Sequence, residues 1–113
     1  MALKDLNRMI ELDPDCHAYS MRGRLLHKMK DYARAADDFT RARDLDEDGW
    51  RTSFGPHFRA DSMARLGRLH EALADCAFIP QDHWMPGVFG LPPGNKQDFI
   101  DAIKRRAEEA RRR

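Results

Sequence analysis

Cysteine is scarce in this 113-residue sequence: Cys16 and Cys76 are the only two. That is too few for the disulfide framework on which small secreted domains depend. No run approaches the ~18 consecutive apolar residues of a membrane span, and the N-terminus lacks the apolar stretch of a secretion signal. Net charge is nearly absent too, since twenty Lys and Arg against nineteen Asp and Glu leave +1. A chain so balanced has no overall field to draw nucleic acid or an anionic membrane, although a local basic patch stays open. Also missing is any window in which apolar and polar residues alternate long enough for a strand. What remains is a soluble, cytoplasmic, all-α protein, of a length that suits one domain with a modest core.

Internal similarity organises the chain. The segment Ala35-Ala36-Asp37-Asp38-Phe39-Thr40-Arg41-Ala42 aligns with Ala72-Leu73-Ala74-Asp75-Cys76-Ala77-Phe78-Ile79, and Ala2-Leu3-Lys4-Asp5-Leu6-Asn7-Arg8-Met9 fits the same frame. Each alanine follows a turn, Lys30-Asp31-Tyr32 in one copy and Gly67-Arg68-Leu69 in another, and a helical stretch precedes each turn. The unit reads as helix, tight turn, helix. Periodicity supports it independently. Tyr32, Ala35, Ala36, Phe39 and Ala42 make one apolar stripe at helical spacing, as do Leu69, Ala72, Leu73, Cys76 and Ile79. Tyr19, Gly23, Leu26 and Met29 form the stripe of the helix before the first turn. Asp31 suits an N-cap, and Leu12-Asp13-Pro14 closes the first helix because proline disfavours helical geometry in the residue before it.

On these residues, segment 16–49 resembles a tetratricopeptide repeat, a helical hairpin whose pattern here reads Tyr19, Arg22-Gly23, Leu26, Ala35, Phe39, Ala42 and Leu45. Residues 1–15 resemble the second helix of a preceding repeat. Residues 55–80 resemble a degenerate repeat, with Ala60 in place of the glycine and Cys76 in place of the aromatic. The connection from Asp46 to Pro56 is longer than the repeat needs and contains Trp50 and Phe54. The resemblance implies a stack of about five helices, a fragment of a right-handed α-solenoid. Its opening helix either caps the array or continues a longer one.

The remainder is a loop over residues 81–94, rich in Pro and Gly, and a basic helix over 95–113 with Asn95 as its N-cap and Ile100, Ile103, Ala107 and Ala110 at helical spacing. The loop is too apolar for a solvated linker, so Trp84 and Phe89 are expected to cover the open end of the last hairpin or to meet a partner.

Chemistry-bearing patterns are thin. His70-Glu71 lacks a second histidine one turn on, Cys16-His17 is at most half a metal site, and the loop glycines precede no phosphate-binding Gly-Lys-Ser/Thr. No metal, cofactor or catalytic set is called, and an enzyme would require a pocket around His83. The resemblance implies instead a protein-protein interaction module or scaffold, with a concave groove lined by the first helices of the repeats. The groove residues would be Ser20, Arg24, His27 and Lys28, and then His57, Asp61, Ala64 and Arg65. Arg24, Lys28 and Arg65 would favour an acidic peptide or partner segment. A chaperone-tail clamp is not expected, because the matching positions hold Ser20, Met21, Arg24 and Phe58, and the only asparagines are Asn7 and Asn95. Two alternatives stay open. One is nucleic-acid association through Lys104–Arg113; the other is homo-oligomerisation through Leu3, Leu6 and Ile10 at an array end.

Overall fold

Local chemistry sets most of the helix ends. In a computed structural model, which describes residues 2–112, α1 (Leu3–Leu12) stops before Pro14 and α2 (Cys16–Lys28) begins where the Asp15 carboxylate accepts the Ala18 N–H. Lys30 turns the chain in the left-handed region at φ 66°. Asp31 then caps α3 (Tyr32–Leu45) as expected, accepting the Arg34 N–H at 3.4 Å. α2 and α3 form a hairpin whose close approach depends on Gly23, since a Cβ there would sit 2.9 Å from Phe39 Cε2. Leu26, Ala35, Phe39 and Ala42 fill the space between. Met29, read as part of the α2 stripe, is instead exposed, because the helix ends at Lys28 and the turn carries its side chain outward.

The 46–56 connection, longer than the repeat needs, holds a further helix, α4 (Glu47–Thr52). Asp46 ends α3 and caps α4 through the Gly49 N–H. One turn of helix is enough to deliver Trp50 into the core, where it is fully buried. Gly55 lies hard against it: a Cβ would fall 2.2 Å from Trp50 Cδ1.

α5 (Gly55–Arg65) and α6 (Leu69–Cys76) form the second hairpin, turning at Gly67 with φ 77°. Their core of Ala60, Met63, Ala64, Ala72, Cys76 and Ile79 is closed by Phe99, Ile103 and Ala107 of α7 (Lys96–Arg111). Asn95 caps α7 in a reciprocal capping box with Asp98. Two short strands pin the loop before it: β1 (Trp84–Met85) pairs antiparallel with β2 (Gly94–Asn95). This departs from the strand-free expectation, because a two-residue pairing leaves no alternating window to read. The pleat sends neighbours to opposite sides, so Met85 is buried while Trp84 is 66 % exposed. Among the described residues, no helix is long and apolar enough to cross a membrane.

Candidate partner site on the inner helices

The residues expected to line the groove divide sharply. Arg24 and Lys28 are exposed on α2, and no carboxylate among the described residues pairs with either. Arg24 lies over the Phe58 ring, 5.2 Å from its centroid. Ser20, His57 and Asp61 are buried, as is Ala64, so the solvated face expected of α5 is interior. The cause is the C-terminal part of the chain, which packs onto α5 and covers it.

Asp61 is the centre of that packing. Its side chain is fully buried and accepts from three segments: His27 Nε2 of α2 at 2.6 Å, Arg65 Nε of its own helix at 2.8 Å and Arg106 of α7 at 2.5 Å. The carboxylate only accepts, so His27 Nε2 carries the proton in this contact. Burial works against the Asp61 charge, but its three donors outweigh burial and hold the carboxyl below the ordinary value. Arg65 is therefore a structural cation as well as a groove residue. It also stacks over the Tyr32 ring at 4.8 Å and donates to the Phe89 carbonyl at 3.3 Å.

Phe89 crosses the helices rather than capping an end. Its ring lies 5.1 Å from His27 of α2, 4.9 Å from Phe58 of α5 and 6.3 Å from Phe99 of α7. The second aromatic expected to cover the hairpin, Trp84, faces solvent. The loop thus fills the α5 side of the groove with its own aromatic and leaves the α2 strip open.

A second buried pair ties α5 elsewhere. Arg59 donates to both oxygens of Asp75 on α6 at 2.7 Å and to Thr40 of α3 at 2.9 Å. Burial pushes the Asp75 carboxyl up to about 6 in spite of that guanidinium. In the first hairpin, Arg22 makes a fork to Asp38 at 2.8 Å for each bond and reaches Asn7 of α1.

The geometry of helix, tight turn and helix with a glycine at the crossing agrees with a comparison of the sequence. Residues 16–48 match the family model described as tetratricopeptide repeat. That segment of the chain is similar to the tetratricopeptide-repeat family. Repeats of this family serve in general as non-enzymatic protein-protein interaction modules. Neither the curated proteins nor the solved structures gave a match.

Other sites fare differently. Burial pushes the Cys76 thiol up to about 12 and also raises Cys16, so neither is poised as a thiolate. Among the described residues, no group of three His, Cys, Asp or Glu is placed to hold a metal. The basic helix spends Arg106 on Asp61 and Arg112 on Glu108, which removes two of the cations the nucleic-acid alternative counted. Leu6 is buried and Leu3 packs on the first core, so two of the three residues named for self-association are engaged inside the chain, while Ile10 is half-buried. Arg106 is the residue that sequence reasoning missed. Asp61 and Arg65 at i and i+4 were a visible pair, but a third partner 45 positions away has no local signature.

Proposed function

We propose that this protein is a scaffold that binds an acidic segment of a partner protein along the exposed strip of α2, with Arg24 and Lys28 as its charged contacts. The observation that carries the reading is that these two exposed cations have no carboxylate partner among the described residues, on a helix whose other sides are fixed. Arg22 anchors α2 to α3, and His27 anchors it to the Asp61 junction. Such a helix presents its side chains without an ordering cost on binding. Two guanidiniums share the single Asp61 carboxylate, so the neighbouring junction adds a surplus positive charge. Unpaired surface charge of one sign speeds encounter and selects partners more than it adds raw affinity.

The test is an affinity capture from native lysate, quantified by mass spectrometry, with three forms of the chain. Arg24→Glu/Lys28→Glu reverses the strip and leaves Arg65 on Asp61. Lys4→Glu/Arg8→Glu makes the same change in net charge on exposed positions of α1. A protein captured by the wild type and the α1 variant but lost by the α2 variant supports the strip. Retention by all three, or equal loss from both variants, contradicts it.

A further inference from the structure

Beside the Asp61 junction, where α7 meets α5, is a cavity of about 270 Å³ lined by Tyr32, Arg65, Arg106, Glu109 and Ala110. That is below the usual range for drug-sized ligands and ample for one small anion. Its two guanidiniums are fixed before anything binds. Arg65 gives Nε to Asp61 at 2.8 Å and Nη2 to the Phe89 carbonyl at 3.3 Å, and it lies over the Tyr32 ring. Arg106 gives Nη1 to the other Asp61 oxygen. These contacts leave Arg65 Nη1 and Arg106 Nε and Nη2 without an acceptor among the described residues. None of the three nitrogens is sealed from water, and the two side chains are 27 % and 21 % exposed. Arginine N–H groups in a rigid fork match the oxygens of an oxyanion, and fixing them beforehand removes the ordering cost of binding one.

The remaining charged group in the wall selects among oxyanions. Glu109 is exposed, follows Arg106 on the same helix and pairs with no cation among the described residues. Together with Asp61 it balances the two arginines, so the wall holds an anion by hydrogen bonds at contact rather than by net charge. A carboxylate only accepts. It therefore repels an oxyanion that has no proton and takes a hydrogen bond from one that keeps a proton. Sulfate and carboxylates carry none near pH 6, whereas a phosphate group, with its second pKa at about 6, holds one in about half of its molecules there. We propose that this cavity binds a protonated phosphate group, with its oxygens on Arg65 and Arg106 and its hydroxyl donating to Glu109. Neither Arg24 nor Lys28 lines the cavity, so the proposal stands apart from the α2 strip and from the partner assigned to it.

The experiment is an NMR titration of the full chain at about pH 6 that follows the Nε–H signals of Arg65 and Arg106. Inorganic phosphate is the probe, sulfate the same tetrahedral shape without the proton, and N-acetyl-phosphoserinamide the same group attached to peptide backbone. Phosphate is expected to shift both signals saturably at low salt, with Kd on the order of 1 mM for a few charged hydrogen bonds at a half-exposed site. Sulfate is expected to bind about tenfold more weakly, because it faces Glu109 with nothing to donate. Glu109→Gln should close that gap, since the amide can donate to sulfate, and its exposed position leaves the Asp61 junction intact. Arg106→Gln should weaken phosphate binding about tenfold. If α7 loosens in that variant, Glu109→Gln makes the test without it. Binding of the phosphoserine derivative at the same signals identifies a phosphorylated chain as the source, while binding of inorganic phosphate alone identifies the free ion; either outcome supports the phosphate site. No saturable shift up to ~20 mM, well above that expected Kd, overturns it. So does sulfate binding as tightly as phosphate to the wild type, or a gap that Glu109→Gln leaves unchanged.

Discussion

α2 and α5 occupy the same place in successive hairpins, yet they are buried by different means. α2 presents Gly23 and Leu26 to an apolar seam with α3 and keeps Arg24 and Lys28 in solvent. α5 is enclosed on nearly every side and carries His57, Arg59, Asp61 and Ser62 into the interior with it. The first hairpin is held by shape and by one ion pair, Arg22 on the buried Asp38, that stays between its own two helices. The second is held by shape and by charges that reach across to α2, α3, α6 and α7. An apolar seam needs only neighbouring helices of the right period, whereas a buried carboxylate is tolerable only where its partners are fixed around it. The C-terminal helix supplies one of those partners. This is why the covered helix is the one followed by α7, and why the surface left for recognition lies on α2.

The contrast can be broken most severely at Asp61. Asp61→Ala leaves Arg65, Arg106 and His27 facing a void, and loss of one partner from a buried ion pair costs about 3–5 kcal/mol. Urea denaturation of this variant should show a loss of that size. A loss below about 1 kcal/mol would mean that the junction is solvated and worth no more than a surface pair.

A second break comes from acid. His57 is held neutral in the folded chain with its pKa lowered from 6.5 to about 4, so the unfolded chain takes up the proton first as pH falls. Its contribution is fully present above about pH 6.5 and is lost progressively toward about pH 4. At 1.36 kcal/mol for each pKa unit, that amounts to on the order of 3 kcal/mol. Asp75, with its pKa raised to about 6, works in the opposite direction over part of this range. The readout is therefore the difference between wild type and His57→Phe in a series of denaturant titrations from pH 7 to pH 4. The gap should narrow or reverse in favour of the variant as pH falls, and a constant gap would show that His57 does not titrate this way.

The first hairpin should break by volume. Gly23→Ala places a methyl group 2.9 Å from the Phe39 ring, and overpacking of this kind costs about 1–3 kcal/mol. The loss should be independent of pH and salt, unlike either change on α5. A neutral or stabilising effect in the same urea titration would mean that the helices separate more easily than the seam implies.

These differences mark where the sequence is readable. The Ala35, Ala36, Phe39 and Ala42 stripe, the Asp31 and Asn95 caps and the turn at Gly67 all follow from residues within a few positions of one another. Trp50 was visible as an oddity in a long connection, but its burial was not, because a six-residue helix has too few turns to show a period. The polar residues of α5 look like a solvated face when only their spacing is considered. Their burial is set by the return of α7, and Arg106 meets Asp61 only after the whole chain has folded. One local clue pointed that way: Ala60, Met63 and Ala64 flank Asp61 on more than one side of the helix, so no side of α5 is wholly polar. The candidate partner site was legible to the same degree. Arg24 and Lys28 stand where the repeat pattern puts them, while Ser20, His57 and Asp61 were drawn inside by contacts outside the repeat.

The central claim is that the Asp61 junction fastens α7 to α5, while the first hairpin stands on its own apolar seam and its own Arg22–Asp38 pair. Hydrogen exchange on Arg106→Gln tests it most directly, since this change removes the α7 partner and leaves His27 and Arg65 on Asp61. The account predicts that amides of α7 exchange about tenfold faster, the equivalent of about 1.4 kcal/mol for one charged hydrogen bond, while those of α2 and α3 keep their protection. Unchanged exchange in α7, or an equal loss across α2 and α3, would contradict it.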